Sequence, residues 1–365
     1  MKKICHITTV HPRYDVRIFH KECKSLSEYY KVYLIVADGL GNEEKDKVNI
    51  IDIGLRQQSR LKRAIADSEK AFKKAIELDC ELYHFHDPEL IRTGVKLKKR
   101  GKKVIYDTHE DLPRQIMGKP YLNKFIKPIL ANFIEWLENR AAKQFDYICS
   151  ATPYIRERFK MINRNTVDIN NYPILGELFQ TNINKENTFC YTGGITRIRG
   201  IANIIKAMKN INSKLVIAGR VNDKSYLSEI KELNEWEKVE YLGLVDREEL
   251  AIVLSRSIAG IVTFLPSQNH LNSQPNKIFE YMSAGIAIIG SDFKLWKEII
   301  EDNYCGICVN PEKSEEISEA MQYLIDNPEK TKSMGENGQR IVLKKYNWNV
   351  EERKLSDVYN KVLIK

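Results

Sequence analysis

Short apolar runs rich in β-branched residues alternate with longer segments of helical periodicity along the chain. In the first half, the runs that predict strands are 3–9, 31–37, 82–86, 103–108 and 146–151. The segments between them that have the apolar spacing of amphipathic helices are 17–28, 59–77 and 125–144. Strands that alternate with helices in this way predict a parallel sheet with crossover helices.

The pattern is interrupted at "DINNYPIL" (168–175), where an Asn-Asn pair and a proline predict a linker. It then restarts, with strands predicted at 188–194, 214–219, 240–243, 259–264, 286–290 and 306–309. We therefore expect an α/β protein with two doubly wound, Rossmann-like sheets and a ligand site at the carboxyl ends of the strands, in a cleft between the domains. The expected parts are an N-terminal domain (1–170), a C-terminal domain (171–345) and a terminal helix (346–365) that packs back towards the N-terminal domain.

The segment "ADGLGNEE" (37–44) is interpreted as a βα turn with a partial Gly-x-Gly pattern. It has no third glycine and no helix directly after it, so it does not make a dinucleotide-binding fingerprint. The segment "NSQPNKIFEYMSAG" predicts a short helix, with Ser273 or Gln274 as its cap, Pro275 in its first turn and Gly285 at its end. Ile278 and Met282 are expected to pack inward.

Composition agrees with two soluble domains. The chain has 365 residues, of which 43% are hydrophobic and 29% charged, and its apolar runs are far shorter than a membrane span. The N-terminal apolar run is interrupted by His6, Thr8 and Thr9, which predicts a strand rather than a signal peptide, and hence a cytoplasmic protein.

Charge is uneven between the two halves. The net charge is +9, and residues 1–170 carry 33 Lys and Arg against 23 Asp and Glu, or +10. This basic half indicates either an anionic surface or ligand, or simply a solvated basic face. A nucleic-acid-binding protein is not favoured, because no basic stripe interleaved with aromatics and no nucleic-acid motif is visible.

Metal ligands at recognisable spacing are not evident. Cys305 and Cys308 form a single C-x-x-C without a second pair, so neither a metal nor a redox site is expected there. His84 and His86 share one face of a strand, but no third ligand accompanies them at a recognisable spacing. The sequence therefore predicts no metal.

Polar side chains follow three of the first-half strands. They are His11, Asp15 and Arg17 after the first, His86 and Asp87 after the third, and His109, Glu110 and Asp111 after the fourth. Since the carboxyl ends of parallel strands meet at one edge of a sheet, these residues are expected to share one mouth.

In the second half, "YTGGITRIRGI" supplies two glycines and two arginines directly after a strand. Gly193 and Gly194 let a backbone approach a ligand closely, and Arg197 and Arg199 before a helix make an anion site suited to phosphates. The helix at 276–283 adds a cation, Lys277, and a carboxylate, Glu280, that would suit a ribose diol. Together they predict a nucleotide-diphosphate pocket.

Five segments in this order carry a family resemblance: "HPRYDVRIF", "HFHDPEL", "YDTHED", "YTGGITRIRGI" and "NSQPNKIFEYMSAGIAIIGSDFKLWKEII". Over nearly its whole length the chain resembles a GT-B-fold glycosyltransferase of the large retaining family 4, which builds bacterial polysaccharides. The resemblance implies sugar transfer with retention of configuration, without a metal or other cofactor, from a nucleotide-diphosphate sugar, a UDP-sugar being expected. The implied acceptor is a hydroxyl of a glycan or a polyprenyl-diphosphate-linked glycan in capsule or other cell-surface polysaccharide biosynthesis.

The resemblance also implies roles for single residues. Glu280 matches the second glutamate of the family's Glu-x7-Glu motif, which binds the donor ribose, and His86 matches the histidine that contacts the donor hexose. With Arg199 they form the implied catalytic set. The implied diphosphate contacts are Arg197, Arg199, Lys277, Gly193 and Gly194. The implied contacts of the donor sugar are His86, Asn272, Ser273, Gln274 and Asn276, and those on the acceptor side are His11, Asp15, Arg17, His109 and Glu110.

Two positions depart from the family pattern. Asn272 stands near where the motif has its first glutamate, so the identity of the donor sugar is harder to infer. The usual Gly-Arg pair after the first C-terminal strand reads Gly193-Gly194 here, and Arg197 is the expected replacement for the missing cation.

The segment "KPYLNKFIKPILANFIEWLENR" (119–140) predicts a helix with an apolar set. That set is Phe125, Ile126, Ile129, Leu130, Phe133 and Trp136. It suits either peripheral contact with the cytoplasmic face of a membrane or packing into the domain core. Two rival functions stay open, a GT-B-fold nucleotide-sugar epimerase or hydrolase and a basic nucleic-acid-binding protein. The sequence does not predict an oligomeric state.

Overall fold

The structure, a computed structural model, describes residues 1–118, 123–180 and 185–364. It consists of two compact units. The N-terminal unit comprises Met1–Asn171 together with Val350–Lys365, and the C-terminal unit comprises Tyr172–Asn349. Among the described residues, no helix is both long and apolar enough to cross a lipid bilayer.

The N-terminal unit is built on one sheet. Its described strands are β1 Lys3–Ile7, β2 Lys31–Val36, β3 Glu43–Lys45, β4 Val48–Asp52, β5 Leu82–Phe85, β6 Lys103–Thr108, β7 Tyr147–Ser150 and β8 Thr166–Asp168. They lie in the order β3-β4-β2-β1-β5-β6-β7-β8. Neighbouring strands are parallel apart from β3, which runs antiparallel to β4.

The βα turn predicted at 37–44 is therefore wrong. The last two residues of this segment begin β3, which joins β4 through a tight turn at Asp46 and Lys47, whose φ angles are 50° and 63°. Asp tolerates the left-handed backbone region and is common in the turns of β-hairpins. The predicted alternation of strands and helices did not include a hairpin here.

Helices and single helical turns connect the N-terminal strands. The described α-helices are α1 Lys24–Ser27, α2 Arg60–Lys62, α3 Ser68–Leu78, α4 Ile91–Lys99, α5 Leu112–Met117, α6 Ile126–Ala142 and α7 Pro153–Lys160. The segments predicted as single helices at 17–28 and 59–77 are helical, but each contains a π-helical stretch, Ile18–Cys23 and Arg63–Asp67 respectively.

The two faces of the central strands differ in polarity. One face carries Cys5, Tyr83 and Phe85, which are completely buried in the apolar core beside Tyr106. The opposite face carries His6, which pairs in register with His84. Parallel strands covered on both sides normally read as continuous apolar runs, so buried histidines on one face are a departure that calls for a physical reason.

The C-terminal unit is built on a fully parallel sheet within the described residues. Its strands are β9 Thr188–Thr192, β10 Lys214–Ala218, β11 Val239–Gly243, β12 Ala259–Val262, β13 Ala287–Ser291 and β14 Gly306–Val309, in the order β11-β10-β9-β12-β13-β14. Its helices are α8 Ile201–Ala207, α9 Lys224–Lys231, α10 Arg247–Arg256, α11 Gln268–Leu271, α12 Asn276–Ser283, α13 Lys294–Ile300, α14 Ser314–Asp326 and α15 Pro328–Lys344. The predicted fold class, two parallel α/β sheets, is confirmed.

The last helix, α16 Trp348–Ile364, returns to the N-terminal unit from Val350 onward, as predicted. Its Glu351 accepts a hydrogen bond from the backbone N–H of Asn170 at 2.8 Å. Its Tyr359 is fully buried against His6 and His84. The helix is therefore an integral part of the N-terminal core.

Candidate functional site

A glycine turn after β9 gathers two cations. Gly193 has a φ of +120°, and a Cβ built on it would lie 2.3 Å from Nζ of Lys277 and 3.4 Å from Nη1 of Arg199. Arg199 also donates to the carbonyl of Gly194 at 3.3 Å. Only glycine leaves room for the Lys277 amine, so the turn and the two cations form one structure, the glycine-turn cluster (Gly193, Gly194, Arg199, Lys277).

The amine of Lys277 lies in an apolar setting. It lies in the first turn of α12, is 9% exposed, and its Nζ lies 5.6 Å from the ring centres of both Tyr191 and Phe264. Burial and the neighbouring Arg199 together lower the pKa of Lys277 to about 7, although Glu280 opposes the shift. In the part of the chain that the structure describes, neither Lys277 nor Arg199 forms an ion pair with a carboxylate. An anion bound here would therefore relieve the repulsion between them.

Glu280 lies one turn further along α12 and is held by an arginine. Nη1 of Arg247, at the start of α10, donates to Oε1 of Glu280 at 2.7 Å. The same guanidinium donates to Oε2 of Glu177 at 2.6 Å. Sequence reasoning missed both Arg247 and Glu177, and no motif signals them, because they lie far from Glu280 in the chain. They fix the orientation of the Glu280 carboxylate.

The segment before α12 differs in detail from its prediction. Pro275, not Ser273 or Gln274, is the N-cap residue, and no side chain caps the helix. Ser273 donates instead to the carbonyl of His270 at 3.0 Å, and the Gln274 amide oxygen accepts from the hydroxyl of Tyr172 at 3.3 Å. The capping prediction is wrong because the extended backbone of Pro275 (φ −62°, ψ 131°) already separates these side chains from the first turn.

The other predictions for this segment divide in two. Gly285 ends the helix with a φ of +68°, and Ile278 and Met282 are fully buried, so both of these predictions are confirmed. Asn272 and Asn276 are exposed. Whether they contact a donor sugar stays a prediction.

Arg197 and Arg199 have different surroundings although one residue separates them. Arg197 donates to Oε1 of Glu229 on α9 at 2.6 Å, and its guanidinium lies 4.6 Å from the ring centre of Tyr226. Its role in binding a diphosphate stays a prediction, and the structure gives it a carboxylate partner of its own.

In the N-terminal unit, the ends of β1, β5 and β6 bring part of the predicted mouth together. His11 lies 3.3 Å from Oδ2 of Asp15 and 3.5 Å from Oδ1 of Asp87, and its ring centre is 4.9 Å from that of His109. Burial lowers the pKa of His11, but its hydrogen bond with Asp15 and the nearby carboxylates outweigh burial and raise that pKa overall. The side chains of His11, Asp15 and His109 are half-buried and Glu110 is exposed.

Arg17 does not line this mouth. Its guanidinium is 4% exposed and donates to both oxygens of Asp107 at 2.9 Å. It also lies 3.1 Å from Oε1 of Glu22 and donates to the carbonyl of Ile169 at 2.5 Å. The acceptor-side role of Arg17 stays a prediction, and the structure gives its side chain carboxylate and carbonyl partners inside the unit.

His86 is also enclosed. It is 1% exposed, its Nε2 lies 2.9 Å from Nδ1 of His6, and its Nδ1 lies 3.2 Å from Oδ2 of Asp107. Burial lowers the pKa of His86 to about 4, although the hydrogen bond with Asp107 opposes the shift. Contact of His86 with a donor hexose stays a prediction. Nε2 of the neighbouring His109 lies 3.3 Å from Nδ1 of His86, and His109 is the more exposed of the two.

α6 presents its apolar side chains outward. The exposed fractions are 73% for Phe125, 56% for Ile126, 71% for Ile129, 55% for Phe133 and 54% for Trp136. Packing of this set into the core is therefore excluded, apart from the half-buried Leu130. Residues 119–122, at the start of the predicted segment, lie outside the described part of the chain.

Comparison with known sequences finds one family match and several partial relatives. Residues 177–341 match the sequence model of the family described as Glycosyl transferases group 1. An uncharacterized glycosyltransferase of Methanocaldococcus jannaschii is 25% identical over 181 residues, 48% of this chain and 45% of the relative. The alpha-D-kanosaminyltransferase of Streptomyces kanamyceticus is 25% identical over 178 residues, 47% of this chain and 45% of the relative. In these alignments the chain spans less than half of each curated relative's length.

Solved structures match both units. Sucrose-phosphate synthase of Thermosynechococcus elongatus has a TM-score of 0.81 at 16% identity, and the match covers 100% of each chain. HepE of Anabaena, solved in complex with UDP, has a TM-score of 0.74 at 13% identity, covering 99% of this chain and 100% of that one. At such identities the likeness shows the fold. The likeness therefore supports the predicted GT-B fold class.

Proposed function

We propose that this protein transfers a sugar from a nucleotide-diphosphate sugar to an acceptor hydroxyl with retention of configuration. The observation that carries the proposal is the glycine-turn cluster, where Arg199 and Lys277 meet beside two glycines without a carboxylate partner among the described residues. Two neighbouring cations, one of them buried, repel each other, and an anion bound between them would stabilise the charged form of both.

The diphosphate and the ribose of the donor would contact different residues. The diphosphate would contact Arg199, Lys277 and the backbone of Gly193 and Gly194. The ribose hydroxyls would donate to Glu280, whose carboxylate Arg247 already orients. HepE was solved with UDP and with UDP-glucose, which favours a uridine nucleotide as the first donor to test.

In the proposed reaction, the bond between the sugar C1 and the diphosphate oxygen breaks as the acceptor oxygen bonds to C1 on the same face. The acceptor proton passes to the departing phosphate oxygen. Arg199, Lys277 and the N-terminus of α12 stabilise the negative charge that develops on the diphosphate. Since these cations would neutralise the negative charge on the diphosphate, the proposed transfer needs no metal there. Arg197 would help only after releasing Glu229.

The remaining predicted contacts complete the proposal. Asn272, Ser273, Gln274 and Asn276 are the proposed neighbours of the donor sugar. The acceptor would lie at the mouth of the N-terminal unit, where its donors and acceptors are His11, Asp15, His109 and Glu110. A glycan or a polyprenyl-diphosphate-linked glycan, as used in cell-surface polysaccharide biosynthesis, is the proposed acceptor.

The experiment is isothermal titration with UDP, GDP, ADP, TDP and CMP on the wild type and on Glu280→Ala. We expect one nucleoside diphosphate to bind the wild type and to bind Glu280→Ala about tenfold to a hundredfold more weakly, as for a lost hydrogen bond to a charged group. Glu240→Ala is the matched control, because it removes a carboxylate of the same unit that pairs with Arg256, which the proposed donor contacts do not include. Failure of all five nucleotides to bind would overturn the proposal.

Product analysis then separates transfer from its rival. With labelled donor sugar and a lipid-linked acceptor, the new linkage should have the same anomeric configuration as the donor, as read by NMR. Interconversion of the donor sugar without an acceptor would instead identify an epimerase.

Peripheral membrane contact is the finer part of the proposal. The exposed apolar face of α6 has cations at both ends, Lys124 and Arg140, the latter 5.5 Å from the ring centre of Trp136. Apolar side chains flanked by Lys and Arg suit an anionic bilayer surface.

Vesicle sedimentation should show binding to anionic but not zwitterionic vesicles. Changing Ile129 and Phe133 to Ser should weaken binding at least about tenfold. Leu343→Ser, at another exposed apolar position, should not, and equal binding by all variants would contradict the proposal.

A further inference from the structure

Beneath the mouth of the N-terminal unit lies a group of enclosed polar side chains, the buried histidine cluster (His6, Glu22, His84, His86). One donor atom from each of these four residues lies within 4.8 Å of the others. All four residues are at most 1% exposed. His6 comes from β1, His84 from β5, His86 directly follows β5, and Glu22 comes from the π-helical turn after β1.

Three buried atoms of the cluster are left without a hydrogen bond. Both carboxylate oxygens of Glu22 and Nε2 of His84 have no hydrogen-bond partner among the described residues. A buried polar atom in this state costs about 1–3 kcal/mol, and more when it is charged. Oε1 of Glu22 lies 3.1 Å from Arg17, whereas Oε2 lies 3.8 Å from both His6 and His86. Oε1 therefore lies beside the Arg17 cation, whereas Oε2 faces the imidazoles.

The opposite nitrogen of each imidazole already has an oxygen partner. Nδ1 of His86 lies 3.2 Å from Asp107, while Nε2 of His6 and Nδ1 of His84 each lie 2.9 Å from the hydroxyl of Tyr359. If these outer nitrogens carry the hydrogens, the inner nitrogens are lone pairs directed at one another. Metal-bound histidines in proteins are held in the same way, through a hydrogen bond from the nitrogen that does not bind the metal.

We infer that the cluster is a closed structural site for one divalent transition metal of the zinc type, bound by Nδ1 of His6, Nε2 of His84, Nε2 of His86 and Oε2 of Glu22. Three imidazoles and a carboxylate, all removed from water, make a ligand set suited to Zn²⁺. Tetrahedral ligands about 2.0–2.1 Å from such an ion lie roughly 3.3 Å apart. The observed separations of 2.9 Å and 3.8 Å bracket that distance.

The site would also hold α16 in place. Tyr359 of α16 accepts from two of the three imidazoles in the metal-bound arrangement, so the metal fixes the ring orientations that α16 packs against. A second possible group, His86 with Asp107 and His109, shares one ligand with the cluster. Arg17 competes there, because its guanidinium already donates to both oxygens of Asp107.

The test is a Co²⁺ titration of the purified full-length chain after treatment with a chelator. We expect one equivalent of Co²⁺ to give the visible absorption of a tetrahedral site, and Zn²⁺ to displace it. Glu22→Gln and His84→Asn should abolish stoichiometric binding, whereas His109→Asn and the surface control His20→Asn should keep it. Tyr359→Phe should weaken Co²⁺ binding about tenfold or more. Wild-type thermal stability should rise with Zn²⁺, and that of Glu22→Gln should not.

Two results would overturn the inference. One is a wild type that binds no stoichiometric Co²⁺ or Zn²⁺. The other is binding that is lost in His109→Asn but kept in Glu22→Gln, which would place the ion in the other group. If the cluster variants do not fold, X-ray absorption of the zinc-loaded wild type decides, because the site predicts nitrogen and oxygen ligands only and a sulfur ligand would contradict it.

Discussion

The glycine-turn cluster and the surroundings of the buried histidine cluster differ in how their charged side chains are paired. Both lie near the carboxyl ends of parallel strands, and both bring ionisable side chains together. In the glycine-turn cluster the cations meet without a carboxylate partner among the described residues, beside glycines that keep the space open. Around the buried histidine cluster, Arg17 is paired with Asp107 and Glu22 inside the unit. Unpaired like charges indicate a site for a ligand, whereas internally paired charges indicate structure.

The largest expected effect tests that contrast on two arginines. Arg17→Met removes the partner of two fully buried carboxylates, so we expect a loss of about 3–5 kcal/mol in the free energy of unfolding. Arg199→Met, its counterpart in the glycine-turn cluster, removes a repulsion with Lys277 and should change stability by less than about 1 kcal/mol. Urea denaturation followed by circular dichroism measures both. Equal losses would mean that Arg199 is structural too.

In nucleotide binding, Arg199 should matter more than the paired Arg197, although its loss is expected to change stability little. Arg199→Ala removes a cation that has no competing carboxylate, and the affinity for UDP should fall about tenfold to a hundredfold. Arg197→Ala is the matched variant two residues away. Because Arg197 is paired with Glu229, we expect a change of less than about threefold. Isothermal titration gives both values. A large loss in Arg197→Ala would show that this arginine exchanges Glu229 for the diphosphate.

The same contrast explains how far the sequence could be read. Strands β9 to β14 could be predicted because each is a short apolar run bounded by turn-forming or polar residues. Gly193, Gly194 and Arg199 could be singled out because they follow one another in the chain. Arg247 could not be found, since its contact with Glu280 is made only by folding. His86 follows a strand just as His109 does, and the sequence does not reveal that one is enclosed and the other half-buried.

The buried histidine cluster was missed for a related reason. His84 and His86 were noticed as a pair, but their partners come from elsewhere: His6 from another strand and Glu22 from a π-helical turn. Metal-site spacing rules apply to ligands that are neighbours in sequence. A set assembled across strands has no such signal, and the expectation of no metal rested on that missing signal.

A smaller effect is expected from pH, which should change the affinity of the glycine-turn cluster for UDP. The pKa of Lys277 is about 7 in the free protein, so raising the pH above 7 removes the charge that a diphosphate needs. UDP affinity should therefore fall roughly tenfold between pH 7 and pH 8.5, whereas Lys277 should cause no loss of affinity below pH 7. Titrations across this range measure the slope. Lys277→Arg keeps its charge and should give a nearly flat profile, and uridine, which has no phosphate, should give none. A wild-type slope equal to that of Lys277→Arg would exclude Lys277 from the diphosphate site.

The smallest effect concerns the end of α12, the helix that carries Lys277 and Glu280. Gly285 has a φ of +68°, and a Cβ there would lie 2.9 Å from the side-chain amide of Gln339. Gly101 in the N-terminal unit has a φ of +76° with nothing within 4 Å of its Cβ position. Each Gly→Ala change should cost about 1–2 kcal/mol in unfolding free energy for the left-handed backbone. Gly285→Ala should exceed Gly101→Ala by only a few tenths of a kcal/mol, because the long Gln339 side chain can move aside. Urea titrations of the two variants measure the difference. A difference well above 1 kcal/mol would show that Gln339 is fixed against α12, and then the position of Lys277 would depend on α15 as well as on the glycine turn.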